Sequence, residues 1–216
     1  MGEEVTVNYI LRKYKCNGDN TKLPIQLNCL RTDFPQLFNE LDFKIGVEVG
    51  TRHGIYADIL LSGSSNLKLF CVDPYIVYNE NIIKSQNDLD IIENEARNRL
   101  SKYKNRVTII KKTSMDAVKD FKNNSIDFVY IDGNHEFQHV VNDIYEWQRR
   151  VKTGGIVAGH DFDRHKLPSL IHVKDVVTGY TDALNIKPWF ITKRLKDGTL
   201  SGNCAISFLW VKRERE

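Results

Sequence analysis

The segment Val47-Glu48-Val49-Gly50-Thr51-Arg52-His53-Gly54 decides the fold prediction. It completes an apolar run, IGVEV at 45–49, and is followed at once by the helical stretch IYADILL. Glycines at such a junction let the backbone turn sharply and approach a ligand without a Cβ in the way. The segment therefore predicts a strand, a ligand-binding loop and a helix.

Further apolar runs rich in β-branched residues follow this strand. They are LKLFCV at 67–72, RVTII at 106–110, IDFVYI at 126–131 and GIVAG at 155–159. Such continuous apolar character is typical of parallel strands buried on both faces. PWFITK at 188–193 and NCAISFLWVK at 203–212 then flank Asp197-Gly198, a pair that favours a turn. We predict an α/β, Rossmann-like, doubly wound sheet of seven strands, mostly parallel, with a C-terminal antiparallel hairpin.

The stretches between the strands have helical spacing. Apolar residues recur at three- and four-residue steps over 89–103, 137–151 and 170–184. Before the first strand, DFPQLFNELDF at 33–43 predicts a lead-in helix with Pro35 in its first turn. We divide the chain into a lead-in segment at 1–44, expected on the substrate side, and a ligand-binding domain at 45–216.

Composition narrows the class of protein. The 216 residues are 41% hydrophobic and carry a net charge of +3, without the long basic run that nucleic-acid binders often have. No window approaches the ~18 apolar residues of a membrane span. We therefore predict that the protein has no membrane partner. The four cysteines show no C-x-x-C spacing, which predicts a reduced, cytoplasmic protein. The sequence carries no signal for its oligomeric state.

An acid stands at the end of the second strand. Asp73 follows Cys71-Val72, 19 residues after Gly54. At this distance an acidic side chain can accept hydrogen bonds from the hydroxyls of a ribose. The glycine loop and Asp73 together indicate a nucleotide-like ligand.

These features resemble the class I S-adenosylmethionine-dependent methyltransferases. The resemblance covers roughly residues 40–211 and consists of E-x-G-x-x-x-G after strand one and Asp after strand two. It implies that S-adenosyl-L-methionine is the cofactor and that Asp73 binds its ribose. The residues implied at the methionine end are Glu48, Gly50, Thr51 and Gly54. Ser114, within Thr113–Met115 after strand three, is implied as the adenine contact.

The ends of strands four and five resemble a narrower branch, the O-methyltransferases of sugars and catechol-like compounds. The matching runs are IDGNH, ending at His135, and GGIVAGHDF, which contains His160 and Asp161. In that branch carboxylates after these strands hold a divalent cation that gathers the substrate hydroxyls. The resemblance implies a magnesium or manganese site on Asp132, His160 and Asp161, although His160 replaces the first acid of the expected pair.

Two roles for the strand-four end stay open. Asp132 either joins the metal site or hydrogen-bonds the methionine ammonium without a metal. Histidine ordinarily has a pKa near neutrality, so His135 is the candidate general base. We therefore treat Asp132 and His135 as the catalytic candidates for methyl transfer to a hydroxylated small molecule.

Three alternative functions compete with this prediction. His135-Glu136-Phe137-Gln138-His139 spells the zinc-peptidase motif H-E-x-x-H, but it directly follows a strand rather than lying within a helix. A nucleic-acid methyltransferase would typically end strand four with an N/D-P-P-Y-like run, which is absent here. A domain that binds the cofactor without catalysis is the third alternative.

Overall fold

The computed structural model describes residues 2–16, 22–77, 85–163, 171–194 and 205–214. In chain order the strands are β1 (Ile25–Gln26), β2 (Ile45–Val49), β3 (Lys68–Val72), β4 (Val107–Ile110), β5 (Ile126–Ile131), β6 (Val151–Gly159), β7 (Trp189–Ile191) and β8 (Phe208–Val211). The α-helices are α1 (Glu3–Lys13), α2 (Phe34–Glu40), α3 (Ile55–Ser62), α4 (Gln86–Leu100), α5 (Ser114–Ala117), α6 (Phe137–Arg150) and α7 (Val173–Ala183). Strands and helices alternate from β2 to β7, as the sequence predicts.

The strands form one sheet in the order β1-β7-β8-β6-β5-β2-β3-β4. β8 is inserted antiparallel between β6 and β7, whereas the other described strand pairs are parallel. The predicted mostly parallel, doubly wound sheet with a C-terminal antiparallel hairpin is therefore confirmed. The predicted turn at Asp197-Gly198 lies outside the described residues.

The sheet has eight strands, one more than predicted. The additional strand, β1, pairs Ile25 with Phe190 and Gln26 with Ile191 of β7. A two-residue strand is too short to show a hydrophobic period, and its partner is far away in the sequence. Only the tertiary pairing defines it.

Two element boundaries also differ from the prediction. Val151, expected at the end of a helical stripe, is the first residue of β6, because α6 passes into the strand without a loop. Gly154 lies inside β6 with φ +80°, where the register against β5 shifts. The lead-in helix is shorter than 33–43, and a 3₁₀ turn at Arg31–Asp33 precedes it.

The segment before β2 packs against the sheet. α1, which was not predicted, contacts β6 and β8, and its Thr6 hydroxyl donates to the carbonyl of Gly154 at 2.8 Å. Ile10 and Phe34 are fully buried in the same core as side chains from β5 and β6. A substrate-side role for 1–44 stays a prediction.

Each face of the sheet has its own apolar core. Side chains of α1, α2 and α3 cover one face, and those of α6 and α7 cover the other. The carboxyl ends of β2, β3, β5 and β6 lie side by side, so the loops that follow them line one crevice. No helix in the described ranges is both long and apolar enough to cross a membrane.

Candidate cofactor and acceptor site

The loop between β2 and α3 depends on glycine. Gly50 has φ +90°, and a Cβ placed on it would lie 2.0 Å from the carbonyl oxygen of Asp132. Gly54 has φ +70° and immediately precedes the first turn of α3. The loop therefore passes directly against the end of β5. It lies between two halves of the crevice: the cofactor half, at the ends of β2 and β3, and the acceptor half, at the ends of β5 and β6.

Two buried side-chain oxygens at this loop lack a hydrogen-bond partner. Oε2 of Glu48 and Oγ1 of Thr51 are both inaccessible to solvent and unpaired, with Glu48 only 2% exposed. Burial raises the pKa of Glu48 to about 8. The adjacent Thr51 opposes the increase, and the nearby Asp132 and Asp73 add to it. Buried polar atoms without partners are rare in folded proteins. These two atoms are suited to bind the amino-acid end of a cofactor.

Asp73 lies at the end of β3 beside the same loop. Its Oδ2 accepts the backbone N–H of Arg52 at 2.8 Å, and its Oδ1 accepts that of Tyr75 at 2.9 Å. These bonds fix the carboxylate plane, and each oxygen retains acceptor capacity. Burial raises the pKa of Asp73, and the two N–H bonds oppose the increase. The geometry suits a carboxylate that accepts ribose hydroxyls.

Ser114 belongs to a polar network that the sequence did not reveal. Its hydroxyl donates to Oδ1 of Asp143 and accepts the indole N–H of Trp147 at 2.8 Å. Asp143 is buried, and burial raises its pKa to about 6 although Ser114 donates to it. The network fixes the rotamer of Ser114 at the start of α5.

Four side chains cluster at the ends of β5 and β6. Nε2 of His135 lies 2.9 Å from Oδ2 of Asp161 and 3.7 Å from Oδ1 of Asp132. Nδ1 of His160 lies 3.2 Å and 3.6 Å from the same two oxygens. The structure thus brings together every residue assigned to catalysis or to metal binding from the sequence.

Charge couples these four groups. Burial alone would lower the pKa of His135, but Asp132 and Asp161 raise it to about 10. Burial would raise the pKa of Asp161, but His135 and His160 move it far below its ordinary value. His135 therefore carries a proton at neutral pH unless another cation compensates the carboxylates.

The donor set fits a divalent cation. One ligand atom each from Asp132, His135 and Asp161 lie within 4.8 Å of one another. Nε2 of His135 forms no aligned hydrogen bond despite its short distance to Asp161. Two carboxylates and an imidazole suit manganese, and magnesium less well. This triad contains His135 where the sequence predicts His160, whose Nδ1 lies 3.2 Å from Asp161 and 3.6 Å from Asp132.

Arg31 is a site residue that sequence reasoning missed. It is 8% exposed, and its Nη1 lies 3.4 Å from Oδ2 of Asp132. Its Cζ lies 4.8 Å from the ring centroid of Tyr56, whose hydroxyl donates to the Arg31 carbonyl at 3.1 Å. No motif in the segment before β2 marks this arginine, so only the packing of that segment reveals it.

The H-E-x-x-H match does not form a helical pair of zinc ligands. α6 begins at Phe137, so His135 lies in the loop before it. His139 is exposed on the first turn of α6. The two histidines therefore lie in different environments, as expected if the motif match is coincidental.

Comparisons with known proteins agree with this architecture. An O-methyltransferase of Bacillus cereus, solved with S-adenosylhomocysteine, superposes with a TM-score of 0.60 at 14% identity, over 97% of this chain and 88% of that chain. The N-methyltransferase NodS of Bradyrhizobium japonicum superposes with a TM-score of 0.56 at 11% identity, over 85% and 95%. The fold is therefore that of the class I methyltransferases.

Sequence comparison leads to the family. Residues 47–162, more than half of the chain, match the family model described as a methyltransferase domain. The chain belongs to this methyltransferase-domain family, and the predicted resemblance is confirmed. An uncharacterized protein of Acanthamoeba polyphaga mimivirus is 26% identical over 126 residues, which are 56% of this chain. The chain spans about half the length of that curated relative, at 52%.

Proposed function

We propose that this chain transfers the methyl group of S-adenosylmethionine to a hydroxyl oxygen of a small molecule. The observation that carries the proposal is the cluster of Asp132, His135, His160 and Asp161 beside the Gly50 loop. Carboxylates and imidazoles can bind a hydroxyl group and manage its proton. A cofactor loop in contact with such a cluster favours transfer to oxygen.

The cofactor half of the crevice would bind the two ends of the cofactor separately. Glu48 and Thr51 would contact the methionine end through their unpaired oxygens. Asp73 would accept the ribose hydroxyls, and the segment that begins with Ser114 would contact the adenine. These contacts would orient the methyl group toward the end of β5.

At the acceptor half, the reaction needs an aligned oxygen and a route for its proton. The hydroxyl oxygen forms a bond to the methyl carbon while the bond between that carbon and sulfur breaks. The electron pair of the broken bond stays on sulfur. The products are a methyl ether, S-adenosylhomocysteine and a proton. His135 is the group that takes this proton, and it must be neutral to do so.

A divalent cation would help to meet that requirement. When bound, the ion would lower the pKa of the acceptor hydroxyl and orient its oxygen. Asp132 and Asp161 would hold it together with His160, and Nε2 of His135 would remain available for the acceptor proton. The carboxylates would then no longer hold a proton on His135.

The first experiment tests cofactor binding. We expect S-adenosylmethionine and S-adenosylhomocysteine to raise the melting temperature, since a ligand at a hundredfold excess over Kd adds about 2.7 kcal/mol to the stability. Asp73→Ala should remove the shift, whereas Asp182→Asn, at an exposed acid on α7, should retain it. Absence of a shift in the wild type would refute the assignment.

The second experiment identifies the acceptor. Hydroxylated metabolites, RNA and DNA are offered together with cofactor that carries a labelled methyl group, and the label is followed into each class. We expect label in a hydroxylated small molecule. Label in nucleic acid alone would establish the alternative substrate class, and cofactor binding without any transfer would establish a non-catalytic domain.

A further inference from the structure

We propose that Arg31 binds the α-carboxylate of the methionine end of the cofactor, opposite Glu48, which binds its ammonium group. The inference rests on the proposed binding of S-adenosylmethionine. It assigns a specificity role to the segment before β2, which lies outside the residues that match the methyltransferase family model.

The position of the guanidinium is the first argument. Arg31 contacts Asp132 at 3.4 Å, and Asp132 is joined to the end of β2 by its N–H bond to the carbonyl of Val49 at 2.8 Å. The Asp132 carbonyl touches Gly50, the first residue of the cofactor loop. A cation at this place is adjacent to the loop that would hold the methionine end.

The second argument is the chemistry of the amino-acid group. A methionine moiety is a zwitterion, so a complementary site needs acceptors for the ammonium and donors for the carboxylate. Oε2 of Glu48 is a buried acceptor without a partner, and Oγ1 of Thr51 is a buried hydroxyl without one. Arg31 supplies the positive charge that these two residues lack.

The helix beneath the guanidinium adds to the positive potential. Arg31 stacks on Tyr56, in the first turn of the eight-residue helix α3. Backbone N–H groups in a first turn have no acceptor within their own helix, and the helix dipole favours an anion there. An anion beside Tyr56 would be attracted by both the helix and the guanidinium.

A purely structural ion pair with Asp132 is the competing explanation. The contact involves one guanidinium nitrogen at 3.4 Å, which is long for a charge-assisted hydrogen bond. The two explanations predict different results for Arg31→Gln. A structural pair predicts equal losses for both ligands, whereas a carboxylate-binding residue predicts a loss for S-adenosylmethionine alone.

The test compares S-adenosylmethionine with its decarboxylated analogue, which differs only in lacking the carboxylate. Isothermal titration calorimetry measures both affinities for the wild type, Arg31→Ala and Arg31→Gln. We expect the wild type to prefer S-adenosylmethionine by about 10-fold to 100-fold, as one charge-assisted contact predicts. Both variants should lose this preference and bind the analogue about as tightly as the wild type does.

Controls separate the possible failures. Arg12→Ala removes one exposed positive charge from the same segment and should leave the preference unchanged. Urea unfolding of each variant verifies that it is folded. A preference that persists in folded Arg31→Gln, or equal losses for both ligands, would overturn the role of Arg31. If the wild type binds neither ligand, the proposed function itself fails.

Discussion

Two carboxylates in the same crevice have opposite pKa shifts. Glu48, at the cofactor half, is desolvated without a partner for Oε2, and its pKa rises to about 8. Asp161, at the acceptor half, lies within 3.2 Å of two imidazole nitrogens, and its pKa is far below the ordinary value. The environment rather than the residue type decides which acid carries charge.

The difference between these two pKa shifts shows whether each half of the crevice compensates its own negative charge. The acceptor half contains its own positive charge, because His135 and His160 face Asp132 and Asp161. The cofactor half keeps an uncompensated acid that a positively charged ligand group would satisfy. Variants on each side should therefore separate turnover, stability and cofactor affinity.

The largest expected effect is on turnover. Asp161→Asn removes the charge that holds His135 and any cation, so we expect the turnover number to fall by about 100-fold to 10,000-fold. Affinity for S-adenosylhomocysteine should stay within about threefold, because Asp73 and Glu48 are unchanged. Labelled methyl transfer and calorimetry measure the two quantities, with Asp182→Asn, at an exposed acid on α7, as the matched control.

A chelator tests whether turnover at the acceptor half requires a cation. If a cation is used, ethylenediaminetetraacetate should reduce turnover as strongly as Asp161→Asn and leave cofactor binding intact. Full turnover in chelator, with Asp132→Asn and His135→Ala still impaired, would establish a reaction without metal. Wild-type turnover in Asp161→Asn would contradict the proposed acceptor site.

The next effect concerns the junction between the two halves. Gly50→Ala places a Cβ against the Asp132 carbonyl at φ +90°, so we expect the free energy of unfolding to fall by about 2–4 kcal/mol. A Cβ added at Gly179, in α7, would meet nothing within 4 Å, and Gly179→Ala should raise stability by up to about 1 kcal/mol. Urea denaturation compares the two variants. Equal stability of Gly50→Ala and wild type would refute the close approach.

The smallest effect is the pH dependence of stability contributed by Glu48. Between pH 4.5 and about 8 the unfolded chain ionises this acid while the folded protein keeps it protonated, so stability falls as pH rises. Glu48→Gln should be more stable than wild type by about 1–2 kcal/mol near pH 8, and the difference should vanish below pH 4.5. Urea denaturation across this range measures it. Identical pH profiles would show that Glu48 is not buried as a neutral acid.

The same variant reports on function. Glu48→Gln should lose affinity for S-adenosylmethionine although it gains stability, because a neutral amide cannot pair with an ammonium group. Unchanged affinity would place the ammonium elsewhere. Stability and binding should thus change in opposite directions at this position.

The sequence by itself determined the order of strands and helices and the residues at the strand ends. Apolar runs and glycines act locally, so Glu48, Gly50 and Asp73 could be assigned to one crevice once the sheet was predicted. Their roles in binding stay predictions. The strand-end motifs also placed Asp132 and Asp161 side by side.

Only the tertiary structure decided the features that depend on contacts between distant segments. β1 exists because it pairs with β7, and Arg31 enters the crevice because the segment before β2 packs against Tyr56. The pKa shifts of Glu48 and His135 likewise arise from burial and from neighbours in space. A linear sequence specifies local periods and turns, whereas desolvation and charge pairing are set by the three-dimensional arrangement.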